Sequence, residues 1–160
     1  STTIALPAWC RYCKELKLKS RILPCDIVTH WNSTFYMLDF MIKYRSVIDA
    51  MTADKTCKLR RFELETEEWT IAQDLITILL QYKNATLYFS QDSASVTAVI
   101  PAMDRITSDL NYQTGKTYHP SLAAAMKLAC KKLDRYYSLT NASSVYRIAM
   151  VLHPGMKLEY

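Results

Sequence analysis

Apolar residues recur at helical spacing along most of the chain. In residues 7–18, Trp9, Cys13 and Leu16 fall toward one side behind Pro7, which predicts a short helix closed off before Pro24. After the extended-looking Cys25-Asp-Ile-Val-Thr, Asn32 or Ser33 can cap a helix carrying Leu38, Met41, Ile42, Ile48 and Met51, and the polar run Thr52 to Lys58 closes it. Thr66, followed by Glu67 and Glu68, predicts a helix start, because a hydroxyl can take an orphan backbone N–H while two carboxylates meet the positive end of the helix dipole. That helix should run to about Phe89. Its apolar stripe (Trp69, Ala72, Leu75, Ile76, Leu79, Leu80, with Ile71, Ile78 and Tyr82 beside it) is too wide for a surface helix, so a place at the centre of a bundle is expected.

The remaining pattern is also helical. Ser95 to Leu110 contains Pro101, which should kink that helix or start it anew. Asn111 to His119, with Gly115, reads as a loop. Pro120 then opens an amphipathic helix with Leu122, Met126, Ala129, Leu133 and Tyr137 on one side and Lys127, Lys131 and Arg135 on another. A last helix from about Ser143 to Leu152 stops at Pro154. The chain has only two glycines, few for a fold built on tight turns, and no strand-turn-strand alternation. The fold class expected is mainly α, a helical bundle.

Composition narrows the setting. Half of the 160 residues are hydrophobic and 22 % are charged, which suits a folded chain and not a disordered tail. Five scattered cysteines do not form the even framework of a small secreted domain, so reduced thiols are expected. No apolar run approaches the roughly 20 residues that span a bilayer, and the first residues lack the basic start of a signal peptide. An intracellular chain is expected. Net charge is +5, and residues 1–24 hold Arg11, Lys14, Lys17, Lys19 and Arg21 against the single acid Glu15. This marks residues 1–24 as a basic helical arm and 25–160 as the main helical domain; such an arm can attract nucleic-acid phosphates or be merely solvated.

The most informative stretch is Asp26-Ile27-Val28-Thr29-His30-Trp31-Asn32-Ser33-Thr34-Phe35-Tyr36-Met37-Leu38. It resembles the pattern D-V-x-T-R-W-N-S-T-Y-x-M-L of hAT-superfamily transposases. Further similarities follow in family order: Glu67-Glu68-Trp69, Ala85-Thr86-Leu87-Tyr88-Phe89-Ser90, Val99-Ile100-Pro101-Ala102-Met103, and Tyr146 to Pro154 with Lys157 to Tyr160. They run from about residue 22 to 160 and are closest in style to fungal members. The resemblance implies the helical domain inserted into an RNase H-like catalytic fold, read as a piece of a longer, nuclear protein. It implies flanking RNase H-like and C-terminal dimerisation regions as partners within that parent, and transposon-end DNA as the external partner.

For individual residues the resemblance implies that Trp31 stacks on a base extruded from the duplex, a contact worth about 1–3 kcal/mol. The same Trp on its own reads as core packing. His30 stands where the family usually has arginine; it is a neutral donor at best near pH 7, where arginine would offer a permanent charge and a planar fork. His30 and Asn32 beside Trp31, and Lys127, Lys131 and Arg135 on the later helix, are candidate DNA contacts, although a basic stripe is also the wet face of an amphipathic helix.

The family cuts DNA with three acids that hold divalent metal. By resemblance, two precede this region and one follows it, so Asp26, Asp104 and Glu159 are not catalytic positions. No catalytic residue, and no cofactor, is expected in this chain, while Mg2+ or Mn2+ is expected for an intact parent transposase. Cys10-x-x-Cys13 has zinc-knuckle spacing, and Cys25 and His30 could complete a site, but no second close pair repeats and Cys13 fits an apolar helix side; no metal is expected. The function expected is a DNA-associated segment of a hAT-type transposase, or of a domesticated or decayed derivative, that is not itself an enzyme. The alternative is a structural or protein-interaction helical domain of the same origin without DNA handling.

Overall fold

The computed structural model describes residues 2–27, 31–91, 95–114 and 117–155, the side chains of Thr2, Trp31 and residues 112–114 excepted. Among these residues the structure is helical, without strands: α1 (Thr2–Glu15), α2 (Trp31–Lys43), α3 (Arg45–Ala53), α4 (Thr66–Phe89), α5 (Val99–Thr114), α6 (Pro120–Ala142) and α7 (Ser144–Leu152). Short 3-10 turns at Lys55–Cys57, Arg60–Phe62 and Val96–Ala98 connect them. No helix among the described residues is long and apolar enough to cross a membrane. The chain divides into two compact units, Ser1–Ile76 and Thr77–Tyr160.

In the first unit, Cys13, Tyr44, Val47, Met51 and Cys57 form the buried cluster, with Trp9, Tyr12, Leu18, Phe40 and Leu59 packed against it. Helix α1 starts ahead of the expected position and encloses Pro7, at the cost of the backbone bond that proline cannot donate. It ends in a Schellman motif: Leu18 N–H donates to the Cys13 carbonyl at 2.8 Å and Lys17 N–H to that of Lys14 at 3.2 Å. Lys17 takes the left-handed conformation this requires, with φ 57°. The segment beyond is then tied down twice, by Tyr44 Oη–H donating to the Lys19 carbonyl at 2.6 Å and by Trp9 Nε1–H donating to that of Arg21 at 2.8 Å. Of the anchoring rings, Tyr44 stacks on Phe40 at 4.2 Å, and Trp9 lies tilted against Tyr44 at 5.4 Å.

The single helix expected between Asn32 and Met51 is two, broken at Tyr44, whose φ −107° and ψ 18° leave the helical range. Helical hydrogen bonds persist on both sides, Tyr44 N–H to Phe40 and Ile48 N–H to Tyr44, so this is a change of direction and not a loop. Helix α4 begins at Thr66 as expected, although the reciprocal cap lies one residue earlier: the Glu68 carboxylate accepts from Glu65 N–H at 2.8 Å.

The second unit packs α5 against α6 and α6 against α7, burying Ile100, Leu110, Leu122, Met126 and Met150. Pro101 falls in the first turn of α5, where its missing donor has no helical partner to lose. Helix α5 continues through residues expected to be loop, and His119 caps α6 by accepting from Ser121 N–H through Nδ1 at 3.4 Å. Enclosure of α4 on all sides is not found. Trp69, Ile76 and Ile78 are buried, but Leu80, Leu87, Tyr88 and Phe89 are exposed.

Candidate nucleic-acid interface

The residues that carry the resemblance are organised by Asp26. Its Oδ1 accepts from the hydroxyls of Thr34 at 2.8 Å and Ser33 at 2.9 Å, while Ser33 Oγ accepts from Ile27 N–H at 2.7 Å. These bonds clasp residues 26–27 to the first turn of α2. Ser33, expected as a simple cap, therefore works backward along the chain, and Asp26 holds a backbone shape through two neutral donors. A carboxylate placed there also meets the positive end of the α2 dipole, the position a free anion would otherwise favour.

Trp31 is the first residue of α2; its side chain and all of His30 lie outside the described residues. Asn32 is half-buried, and its Oδ1 has no hydrogen-bond partner among the described residues. Next along the helix, Phe35 is buried while Tyr36 is exposed, their rings meeting edge to face at 5.6 Å. The clasp, Trp31 and Asn32 thus share the N-terminal turn of one helix in the first unit.

Lys127, Lys131 and Arg135 lie in the second unit, exposed on α6 and opposite the buried Leu122, Met126 and Thr140. Leu128, Tyr136 and Leu139 are exposed among them, so this face is mixed and not purely basic. Asp104 lies on α5, and Glu159 lies outside the described residues.

Of the candidate zinc ligands, Cys13 is fully buried and its thiol pKa is pushed up by that burial. Cys10 is exposed with Sγ 3.4 Å from Ser20 Oγ, and Cys25 Sγ faces the Asp26 carbonyl at 3.5 Å. Among the described residues, no three His, Cys, Asp or Glu side chains converge on a point where a metal could sit.

Sequence reasoning missed Asp54. Its carboxylate accepts from Thr56 N–H at 2.8 Å, Thr56 Oγ1 at 2.7 Å, Tyr12 Oη at 2.8 Å and Arg11 Nη2 at 3.1 Å. Hydrogen bonding, that of Thr56 foremost, holds the Asp54 carboxyl well below the usual range, and the bond that Tyr12 donates to Asp54 holds the phenol above its own. The spacing Asp54-x-Thr56 is an Asx-turn signal that could have been read. Its long-range partners Arg11 and Tyr12 could not.

Residues 55–62 were read only as far as Lys58, as part of the polar run that closes a helix. Lys55, Lys58, Arg60 and Arg61 occur there without an acid, on the two 3-10 turns that follow Asp54 or, for Lys58, between them. All four are exposed, and so is Phe62. Their density along the chain exceeds that of the basic arm and was the available signal.

Comparison with known proteins fits this first unit. A family model, the ZBED1 RNase-like helical domain, matches residues 9–78, from Trp9 of α1 into the middle of α4. A relative from Talaromyces stipitatus, named "Putative transcriptional regulator tpeD", is 26 % identical over 137 residues, covering 84 % of this chain. The chain spans about 14 % of that relative's length. No solved structure matches. Residues 9–78, which contain the Asp26 clasp, the Asp54 cluster and the basic turns, are therefore similar to an RNase-like helical domain of the ZBED1 type.

Proposed function

We propose that this chain is a DNA-associated helical segment of a hAT-type transposase, or of a protein derived from one, that helps hold DNA without cutting it. The observation that supports this reading is the Asp26 clasp: it ties residues 26–27 to the first turn of α2, the helix that starts at Trp31, within the stretch similar to the RNase-like helical domain. Transcriptional regulation, the role in the relative's name, calls for DNA association without strand cleavage, and it supports a nuclear location. Divalent metal belongs, on this reading, to acids outside the chain, in the flanking RNase H-like parts of a longer protein. The exposed apolar residues Val145, Ile148, Val151 and Leu152 of α7 favour a second reading, a protein-interaction domain of the same origin.

Salt-dependent titration of duplex DNA separates the two, since phosphate contacts release counterions and give a slope that a protein-only module lacks. Trp31→Ala sharpens the test. A stacking Trp31 loses about 1–3 kcal/mol of binding to DNA with an unpaired base while melting is unchanged. A Trp31 that packs in the core loses about 3–5 kcal/mol of stability instead. Incubation with Mg2+ or Mn2+ should leave DNA intact, and metal-dependent nicking abolished by Asp26→Asn or Asp104→Asn would refute the non-catalytic reading.

A further inference from the structure

We infer that the paired 3-10 turns at residues 55–62 are a docking point for the phosphate backbone of DNA, with Lys55, Lys58 and Arg61 as the contacting cations. This deepens the proposed function and rests on it.

Rigidity is the first ground. Asp54 at the head of the segment accepts from both the backbone N–H and the hydroxyl of Thr56. Cys57 is buried and Leu59 packs on the same cluster, so alternate residues point inward and fix the backbone at two places. Lys58, between them, adopts the left-handed conformation with φ 55°, which turns the chain at that point. Arg11 and Tyr12 of α1 bond to Asp54, so the turns cannot swing away from α1 without breaking that cluster. Binding a polyanion here would order side-chain ends but not the backbone, which limits the entropic cost.

Charge is the second ground. Arg60 is spent on Glu63 at 3.0 Å. Lys55, Lys58 and Arg61 are exposed and make no ion pair among the described residues. Of the acids that follow, Glu63 is the partner of Arg60 and Glu68 closes the cap of α4. Arg61 lays its guanidinium 4.7 Å from the Phe62 ring, which is itself 55 % exposed, so an apolar face stands beside the cations. Two free lysines and an arginine suit phosphates better than a protein partner, since lysine is depleted from protein interfaces whereas lysine and arginine supply phosphate contacts.

The test compares the whole chain with its Lys55→Gln/Lys58→Gln/Arg61→Gln variant and with Lys127→Gln/Lys131→Gln/Arg135→Gln, by fluorescence anisotropy of labelled duplexes of unrelated sequence across a KCl series. Each lost phosphate contact removes about 0.9 from the slope of log affinity against log salt, so the first variant should be shallower by about 2–3. The loss should be alike for every sequence. All three substitutions are on exposed side chains, and circular dichroism melting checks the fold; if the triple variant melts early, Lys55→Gln and Lys58→Gln alone should each remove about 1 from the slope. A wild-type slope kept by these variants overturns the docking point and leaves the proposed function standing. No salt-dependent binding by the wild-type chain overturns both. Preference for polyglutamate over DNA, lost in the first variant, overturns it in favour of an acidic protein.

Discussion

Trp69 Nε1–H donates to Asp49 Oδ1 at 3.1 Å, pinning the first turns of α4 to α3. Arg45 completes the contact, pairing with the same carboxylate at 3.5 Å and placing its guanidinium 5.1 Å from the indole ring. Trp69 is 2 % exposed, so its truncation opens a cavity as well as breaking the bond. Trp69→Ala should cost about 3–5 kcal/mol. Trp69→Phe, which keeps most of the volume and leaves Asp49 its arginine, should cost roughly 1–2 kcal/mol. Urea denaturation followed by circular dichroism measures both, and equal costs would show that the ring's volume is irrelevant to the contact.

Asp54 and Tyr12 set opposite ends of a pH window. The Asp54 pKa is depressed in the folded chain, so its contribution is complete above the ordinary carboxylate range and is lost as pH falls through the lower folded value. The Tyr12 pKa is raised by its bond to Asp54, so its contribution is complete below the ordinary phenol value and lost as pH rises through the folded one. Between these limits the contribution of this pair should be constant. Tyr12→Phe should lower the plateau and shrink the alkaline loss, to which the buried Cys13 and Cys57 thiols also contribute, while Asp54→Asn should shrink the acid one; a Tyr12→Phe variant with a wild-type alkaline limb in its melting temperature, or an Asp54→Asn variant with a wild-type acid limb, would disprove the assignment.

The clasp at α2 predicts coupling. Asp26→Ala and Ser33→Ala should each destabilise by roughly 0.5–1.5 kcal/mol, and the double variant by less than their sum, because both remove the same contact. Chemical denaturation of the four proteins in the cycle supplies the numbers. Strict additivity would mean that the Asp26–Ser33 bond itself carries no coupling energy.

Lys17 occupies a left-handed position that glycine adopts without strain. Lys17→Gly should therefore stabilise by up to about 1 kcal/mol, whereas Lys17→Ala should be close to neutral. Thermal melting distinguishes them, and a destabilised Lys17→Gly would mean that contacts of the lysine stem outweigh the backbone strain.

Helix α4 was readable from Thr66 and its two glutamates, and α6 from Pro120, because capping chemistry is local. The break at Tyr44 was not readable: apolar spacing continues across it, and what turns the chain there is a ring stacked on Phe40 and a hydroxyl held by the Lys19 carbonyl. Exposure along the second half of α4 was hidden for a similar reason, since periodicity marks an apolar stripe without saying how much protein is present to cover it. At the candidate site, Trp31 and Asn32 stood out through the motif around them. The work of Asp26 did not, because it depends on chain closure between residues 26 and 34.

The distribution of thiols makes the first unit its own reporter of opening. Cys10 and Cys25 are exposed, while Cys13 and Cys57 are buried in one cluster with pKa values raised chiefly by burial. An alkylating reagent should consume the outer pair at once and wait for a breathing motion before reaching the inner pair, so mass counted against time reads out how often that cluster opens. Cys130, half-buried on α6, supplies an independent clock for the second unit within the same sample.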